Sequence, residues 1–322
     1  MTSGDPGERS VPDCAIAAAT VKLPEHHAIM TVDTSAPSLT PESPGQTDPA
    51  PAWSENRPAR GWAPRLDLRE LWAYRELAFF LALRDLQLRY KQTFFGVAWA
   101  VIQPLATALV FSLFLGRLAG VPSDGYPFVP FVFAGLVAWL YVSTGVTAAA
   151  NSLVQHRSLV EKVYFPRLLA PLAAVLPGLL DMAISLALMG VIMAVTGVAP
   201  GLGLLTLPLW ILAAVAVAAS VGILLSALNV LYRDVQFALT FVLQVWLFAS
   251  PVVFPSSIVH GDARFLFALN PMVGVIDGFR WALIDDPTLG LHDLSSLATG
   301  LLLLVGGVVY FQRVERTLAD RI

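Results

Sequence analysis

The chain has 322 residues, of which 56% are hydrophobic and only 13% are charged, and its formal net charge is -3. This composition is too apolar for an ordinary soluble domain, so a membrane protein is the default class and no nucleic-acid partner is expected. The single cysteine, Cys14, excludes an internal disulfide and a cysteine metal cluster, which argues against a redox role.

Residues 1–62 are rich in Pro, Ser, Thr, Asp and Ala and have no periodic apolar face. Because such a segment cannot bury enough apolar surface to offset its conformational entropy, it is predicted to be a disordered cytoplasmic tail. Its beginning, MTSGDPGERS, has neither the basic region nor the apolar core of a cleaved signal peptide. The first transmembrane helix is therefore expected to direct targeting.

Residues 63–93 have the pattern of an amphipathic interface helix. At roughly 100° per residue, one narrow stripe collects Leu68, Trp72, Phe79, Leu83, Leu86 and Tyr90. Arg84 and Lys91 lie beside the stripe, which suits a helix in the headgroup plane with its apolar face towards acyl chains. Leu77, Leu81 and Leu88 point away from the stripe and indicate that the far side packs on protein. The alternative is a buried amphipathic helix of a soluble domain.

Six apolar runs follow, each long enough to cross roughly 30 Å of hydrocarbon. They are residues 94–116, 128–150, 168–196, 204–228, 236–254 and 294–311. Breaks rich in Gly and Pro fit short connections outside the hydrocarbon. Residues 94–322 are therefore predicted to form an all-α membrane domain of six transmembrane helices, in which Pro104, Pro171 and Pro177 introduce kinks.

The distribution of Lys and Arg predicts the orientation of these spans. Basic residues are frequent before the first span, between the second and third, after the fourth and at the end of the chain, whereas only Arg117, Arg264 and Arg280 fall on the other side. Both termini are therefore predicted to be cytoplasmic. This orientation requires an even number of spans, in agreement with six.

Residues 255–285 are too long for a turn and too interrupted to span a membrane. Asn270 and Pro271 form a good N-cap and N1 pair for a short apolar helix, PMVGVIDGFRWALI, that ends before Asp285. With the preceding IVHGDARFLFAL, this helix is predicted to form a pair of re-entrant outer half-helices. The alternative is an interfacial hairpin. Asp277 and Arg280 are expected to pair on the helix surface.

Familiar catalytic motifs are absent from the sequence. There is no phosphate-binding G-x-x-x-x-G-K-[ST] loop, since no Gly-Lys dipeptide occurs, and there is no H-E-x-x-H or G-x-S-x-G. No His and carboxylate residues cluster at metal-binding spacing. The chain is therefore predicted to be neither an ATPase of that class nor a metal enzyme.

A few polar and aromatic side chains in the predicted spans are candidates for a transport path. Asp181 is placed about 21 Å along the third span, as a channel-lining group or as a residue that locks helices together with help from Ser185. Gln103 is a further polar position. Aromatic residues such as Trp99 and Phe111 belong either to interfacial belts or to a surface on which sugar rings stack.

The segment 151–167 combines charges with aromatic side chains. Arg157, Glu161, Lys162 and Arg167 accompany Val163, Tyr164 and Phe165, which are expected to be exposed. Short charged helices with an aromatic tip suit docking into a groove on a soluble partner. The alternative is a membrane-surface turn anchored by Tyr164 and Phe165.

From about Leu66 to its end the chain resembles the permease subunits of type-two ABC exporters, in the branch that moves O-antigen, capsule and teichoic acid. The motifs that carry the resemblance are RDLQLRYKQTFFGVAWAVIQP, LVEKVYFPRLLAP, LNVLYRDV and LNPMVGVIDGFRWAL, in this order. The resemblance implies a homodimer of six-helix subunits in the bacterial inner membrane. Two copies of a separate ATPase would bind the ATP and magnesium, so no cofactor is expected in this chain. A channel for a lipid-linked glycan or polyol phosphate would run between the subunits.

The resemblance also implies roles for particular residues. The lipid headgroup would contact Arg84, Arg89, Tyr90 and Lys91. The coupling helix, 151–167, would contact the ATPase through Arg157, Glu161, Lys162, Tyr164, Phe165, Pro166 and Arg167. The half-helices in 255–285 would form an outer gate, and the channel or gate candidates are Trp99, Gln103, Phe111, Asp181, Asn270, Pro271 and Arg280.

Two other functions stay open at this point. Related permeases export small amphiphiles, drugs or other lipids. An intramembrane enzyme acting on lipid-linked sugars would need clustered polar catalytic groups, for which only Asp181 is available.

Overall fold

A computed structural model describes residues 68–91, 97–157, 159, 164–232, 234–261, 263–286 and 290–321. Within these ranges the regular structure is entirely helical, as predicted. The predicted tail, residues 1–62, lies outside the described residues, as do Glu161 and Lys162 of the predicted coupling helix.

Eleven α-helices are described, together with one π-helical and two 3₁₀ segments. The α-helices are α1 (Leu68–Ala73), α2 (Arg75–Lys91), α3 (Val97–Phe111), α4 (Phe128–Gln155), α5 (Leu169–Ala174), α6 (Gly178–Thr196), α7 (Leu207–Leu231), α8 (Val235–Phe248), α9 (Ala263–Ala268), α10 (Pro271–Ile284) and α11 (Leu291–Arg321). The π-helix Ser112–Leu118 continues α3, the 3₁₀ turn Leu202–Thr206 precedes α7, and the 3₁₀ turn Ser256–Ile258 precedes α9.

Five helical stretches of the described chain are long and apolar enough to cross a membrane. They are Ala98–Leu118, Phe128–Gln155, Leu169–Thr196, Leu202–Leu231 and Asp293–Glu315, and each coincides with a predicted span. The remaining predicted span, 236–254, corresponds to α8, which has 14 residues and is therefore only about 21 Å long. Its crossing of the membrane stays a prediction.

The third span is interrupted where the prolines predicted a kink. Helix α5 ends at Ala174 and α6 begins at Gly178, with Pro177 between them. Because proline has no N–H to donate and its ring clashes with the preceding turn, the regular hydrogen-bond pattern cannot continue through this position. The two helices still follow one another closely enough to count as a single span.

Helix α4 is the centre of the bundle. In the most apolar 18-residue stretch of α4, 78% of the residues are buried inside the protein. They pack mainly against α7, α6 and α10. Small residues permit the close approach of α7, because a Cβ on Gly222 would lie 2.5 Å from the Cβ of Ala149. The long helix α11 also packs against α7.

Helix α10 has the predicted boundaries. The side chain of Asn270 accepts a hydrogen bond from the N–H of Met272 (3.0 Å), and Pro271 is the first helical residue, so the predicted N-cap is confirmed. Asp285 ends the helix in the left-handed conformation (φ 57°). Thirteen of the 14 residues are buried within the protein. In the described part of the preceding segment, residues 255–261 and 263–269, the helical structure is a 3₁₀ turn and the six-residue α9, which is shorter than a half-helix matching α10.

The predicted interface helix corresponds to α1 and α2, which lie against the bundle. Leu81 is buried, and Leu77 packs against the apolar cluster that contains Leu153 and Phe165, so the prediction that the far side contacts protein is confirmed for both. It is wrong for Leu88, which is exposed. Trp72 and Phe79 of the predicted membrane-facing stripe are 71% and 60% exposed, as that orientation requires.

Candidate functional site

A cavity of about 330 Å³ lies between α2, α3, α4 and α6. Its polar and aromatic lining consists of Arg89, Tyr90, Trp99, Gln103, Tyr141, Thr144, Asp181 and Ser185. Five of these residues were predicted as headgroup or channel residues: Arg89, Tyr90, Trp99, Gln103 and Asp181. The fold thus brings the predicted headgroup residues Arg89 and Tyr90 together with the predicted channel residues Trp99, Gln103 and Asp181.

Asp181 has two donors from α2. The Arg89 guanidinium and the Tyr90 hydroxyl both donate to its carboxylate, one to each oxygen. Both donors lie about 90 positions earlier in the chain than Asp181 and come from a different helix. Burial and, second, the hydrogen bond to Asp181 raise the pKa of Tyr90 to about 12, so its phenol keeps its proton and donates at neutral pH.

The Asp181 contact lies at the level of the middle of α4. Gly178, one turn before Asp181, faces the ring of Tyr141 so closely that a Cβ there would lie 3.3 Å from the ring. Tyr141 is about 20 Å from either end of α4. The end of α2 therefore lies beside the middle of α4, where Arg89 and Tyr90 reach Asp181.

A second cavity, of about 510 Å³, adjoins the first and shares Arg89 and Thr144 with it. One wall is a row of neutral polar side chains along α4, here called the polar row: Ser143, Thr147, Asn151 and Gln155. Sequence reasoning missed these residues, although their spacing of four positions places them on one helix face. The apolar residues of the lining include Leu88, Ala148, Ala174, Pro177 and Leu243.

Several polar-row side chains hydrogen-bond within their own helix. The Thr147 hydroxyl donates to the Ser143 carbonyl (2.8 Å), and the Asn151 amide donates to the Thr147 carbonyl (2.8 Å). The Ser143 hydroxyl donates to the Leu140 carbonyl (3.2 Å). Because each hydroxyl has one donor and two acceptor lone pairs, its oxygen keeps acceptor capacity after these bonds form.

At the end of α4, His156 connects the bundle to α2. Its Nδ1 lies 2.9 Å from the Ser152 carbonyl oxygen, and its Nε2 lies 3.3 Å from the Asp85 carboxylate. Both partners are acceptors, and a neutral imidazole has only one N–H, so the geometry fits the imidazolium form. The hydrogen bond to Asp85 is the main cause that raises the pKa of His156, whereas burial and Arg84 act in the opposite direction.

We expect the His156 contact to make the stability of the protein depend on pH. A histidine with a raised pKa stabilises the fold fully below its ordinary value of 6.5, and that contribution is lost as the pH rises through the raised value. The loss should be on the order of 1–2 kcal/mol, the value of one charge-assisted hydrogen bond. Thermal unfolding in detergent should show this loss of stability above pH 6.5. The His156→Gln variant should not show the part of the loss that is due to His156. An equal decline in that variant would contradict the assignment.

The predicted coupling segment divides into different environments. Asn151–Gln155 are the last turn of α4, and Tyr164–Pro166 are not helical. Tyr164 is 64% exposed, but Phe165 is only 4% exposed and packs in an apolar cluster with Leu153 and Ile223, so the prediction of an exposed Phe165 is wrong. Arg167 donates to the Glu315 carbonyl of α11 (2.9 Å), and Arg157 is exposed.

The predicted gate residues lie apart from both cavities. Asn270 donates to the Ala249 carbonyl (3.0 Å) and accepts from the indole of Trp246 (2.8 Å), so it joins the end of α8 to the start of α10. Pro271 is buried, and Phe111 packs against the main apolar core. None of these described positions lines either cavity.

Arg280 and Asp277 pair as expected, but the pair is buried and does not lie on the helix surface. Both are fully buried, with Arg280 Nη1 3.5 Å from Asp277 Oδ1. The guanidinium also donates to the Val252 carbonyl (3.0 Å) and lies 3.7 Å from the ring centroid of Phe131. Asp277 accepts from the Ser256 hydroxyl. The pair therefore fixes the segment after α8 to α10 and α4.

Comparison with known proteins identifies similar chains. The family model described as ABC-2 type transporter matches residues 76–284. The O-antigen export system permease protein RfbA of Myxococcus xanthus is 32% identical over 215 residues, which cover 66% of this chain and 82% of that protein. A protein of the same name from Klebsiella pneumoniae is 25% identical over 247 residues, which cover 76% of this chain and 94% of that protein.

Proposed function

Because this chain belongs to the ABC-2 type transporter family, we propose that it is the membrane permease of a polysaccharide exporter and moves a lipid-linked polysaccharide or polyol phosphate across the bacterial inner membrane. The relatives are O-antigen export permeases, which supports this cargo class. The chain itself is a multi-pass membrane protein. Export of a small amphiphile, drug or lipid is the less favoured alternative.

The observation that carries the proposal is the pair of cavities that meet at Arg89. An anionic headgroup requires donors, and the Arg89 guanidinium at the wall of the first cavity is 38% exposed and has further N–H groups besides the one given to Asp181. A sugar requires polar edges and an apolar or aromatic face, and the two cavities provide hydroxyls, amides, Trp99 and Tyr141. A single groove thus offers the chemistry of both parts of a lipid-linked glycan.

Energy for export comes from a separate subunit. Permeases of this family act with an ABC ATPase, and the absence of a phosphate-binding loop in this sequence agrees with that division of labour. We assign ATP and magnesium to two copies of that subunit. The exposed Tyr164 and Arg157 at one end of the bundle are suited to contact it. Glu161 and Lys162 remain proposed contributors on sequence grounds.

The proposed topology has six spans, both termini in the cytoplasm and a second copy of the chain. Helix α8 would complete its crossing with the buried residues that follow it, Ser250–Val253. The segment 255–285 would form the outer end of the path. Large apolar side chains are exposed along α3, the π-helix that continues it and α8, including Leu109, Phe114, Phe237 and Phe241. These surfaces support a homodimer in which the groove is completed by the partner copy.

Deletion of the gene tests the proposed function. We expect loss of one surface polysaccharide together with accumulation of its lipid-linked form inside the cell, and plasmid-borne wild-type protein should reverse both. Surface glycan and polyprenyl-linked glycan would be extracted and quantified separately. An unchanged surface without internal accumulation, combined with new drug sensitivity, would instead indicate a permease for small amphiphiles.

Tyr164 and Phe165 make a matched pair for testing the contact with the ATPase. Tyr164→Ala should reduce export about fivefold while leaving the amount of protein unchanged, since an exposed aromatic anchor is worth about 1 kcal/mol at an interface. Phe165→Ala should instead lower the amount of folded protein, because its side chain is buried. Export would be expressed per permease in the membrane. Wild-type export by Tyr164→Ala would remove Tyr164 from the proposed interface.

A further inference from the structure

The lining of the second cavity is mostly neutral, which is not what binding of an anionic headgroup requires. Apart from Asp85 and Arg89, its lining is uncharged. Asp85 lies 3.3 Å from His156 and Arg89 pairs with Asp181, so each charged group already has a partner outside the cavity. What the cavity itself offers a ligand is the neutral polar row on one wall and apolar side chains on the other.

The polar row favours a ligand that donates hydrogen bonds. The hydroxyls of Ser143 and Thr147 donate to backbone carbonyls of their own helix and therefore present oxygen lone pairs to the cavity. The Asn151 amide nitrogen is likewise held by the Thr147 carbonyl, and its oxygen, which accepts one hydrogen bond from Asn229 (3.1 Å), keeps a second lone pair. A ligand rich in hydroxyl groups supplies the donors that such a wall accepts.

The opposite wall suits the apolar face of a ring. Leu88 of α2 and Leu243 of α8 belong to it, together with Pro177 at the break between α5 and α6. Pyranose rings combine hydroxyls at their edges with C–H groups on their faces, and this division matches the two walls. A phosphate alone has no apolar face and would not use this wall.

The position of the cavity defines which sugar it would meet. It shares Arg89 and Thr144 with the first cavity, where the anionic headgroup is placed under the proposed function. The polar row leads from this shared point to the His156 end of α4. A group in the second cavity is therefore directly adjacent to the phosphate and on the side from which the cargo enters.

We propose that the second cavity binds the sugar residue attached to the lipid diphosphate, so that this permease recognises the first sugar of its cargo through the polar row. This inference rests on the proposed function, because it assumes a lipid-linked glycan with its headgroup at Arg89. It adds a specificity site that the headgroup contact alone does not provide.

Binding by the purified full-length chain in lipid nanodiscs tests this site. The probes are a polyprenyl diphosphate and the same lipid bearing one hexosamine. Wild-type protein should bind the sugar-bearing lipid about tenfold more tightly, as expected for one or two added neutral hydrogen bonds. The double variant Ser143→Ala/Thr147→Val removes both hydroxyls while nearly preserving side-chain shape. It should lose most of this preference and bind the bare lipid as wild-type protein does.

Thr196→Val is the matched control. Thr196 is also exposed and also donates to the carbonyl four positions earlier, here Ile192 at 2.8 Å, but it lines neither cavity. It should retain the full preference. Equal loss in both variants would overturn the inference.

Three further outcomes would also overturn the proposed sugar site. Wild-type protein could bind both lipids equally, or the double variant could weaken both to the same extent. Binding of neither lipid would likewise reject the sugar site, and the gene deletion described above would then decide independently whether the proposed export function stands.

Discussion

Replacing Arg280 with methionine should prevent most of the protein from accumulating in the membrane. Arg280 is fully buried, and its guanidinium contacts Asp277, the Val252 and Phe254 carbonyls and the ring of Phe131. Removing it leaves the Asp277 carboxylate buried without its cation, which typically costs about 3–5 kcal/mol. The amount of protein in isolated membranes and its thermal inactivation in detergent measure the loss.

A compensating change separates this explanation from a simple loss of packing. The double variant Asp277→Asn/Arg280→Met removes both charges and should recover a substantial part of the stability, since replacing a whole buried ion pair is much less costly than breaking it. Arg264→Met, at an exposed position of the segment 255–285, should change stability by no more than about 0.5 kcal/mol. No recovery in the double variant would show that the carbonyl and aromatic contacts of Arg280 dominate.

Substitution of Gly278 with alanine is expected to have the second large effect. A Cβ at this position of α10 would overlap the indole of Trp210 on α7. Trp210 is buried and its Nε1 donates to the Thr206 hydroxyl (3.1 Å), so it has little freedom to move. Overpacking of this kind costs about 1–3 kcal/mol or more. The midpoint of thermal unfolding should fall by several degrees.

Gly306 provides the control for the same chemical change. It lies within α11, and a Cβ there would have no neighbour within 4 Å. Gly306→Ala should be neutral or slightly stabilising, because alanine has the higher helix propensity. Trp210→Leu combined with Gly278→Ala should restore part of the loss. A Gly278→Ala protein as stable as Gly306→Ala would mean that α7 and α10 can separate at low cost.

Local sequence information was sufficient for much of this fold. The five helices that are long and apolar enough to span a membrane follow from apolar length alone, and the start of α10 follows from the Asn270–Pro271 pair. Capping depends on neighbouring residues, so a sequence pattern can predict it. The break at Pro177 was predicted for the same reason, since proline acts on its own turn.

The candidate site was less predictable because it depends on distant contacts. Nothing near Asp181 in the sequence indicates that Arg89 and Tyr90 will reach it from another helix. Likewise, an aromatic residue such as Phe165 satisfies the pattern of a docking surface equally well whether it is exposed or buried. The polar row is a different case, because its spacing along α4 was visible and only its cavity required the structure.

The central position of α4 has a consequence for biosynthesis. Its main partners, α7 and α10, are encoded later, and α10 ends about 130 residues after α4. At translation rates of roughly 5–20 residues per second, α4 spends on the order of ten seconds without the helices that will enclose it. Hydroxyls that donate to carbonyls of their own helix are already satisfied during this interval, as Ser143 and Thr147 illustrate. The nascent helix can therefore remain among lipids until the ribosome has supplied its neighbours.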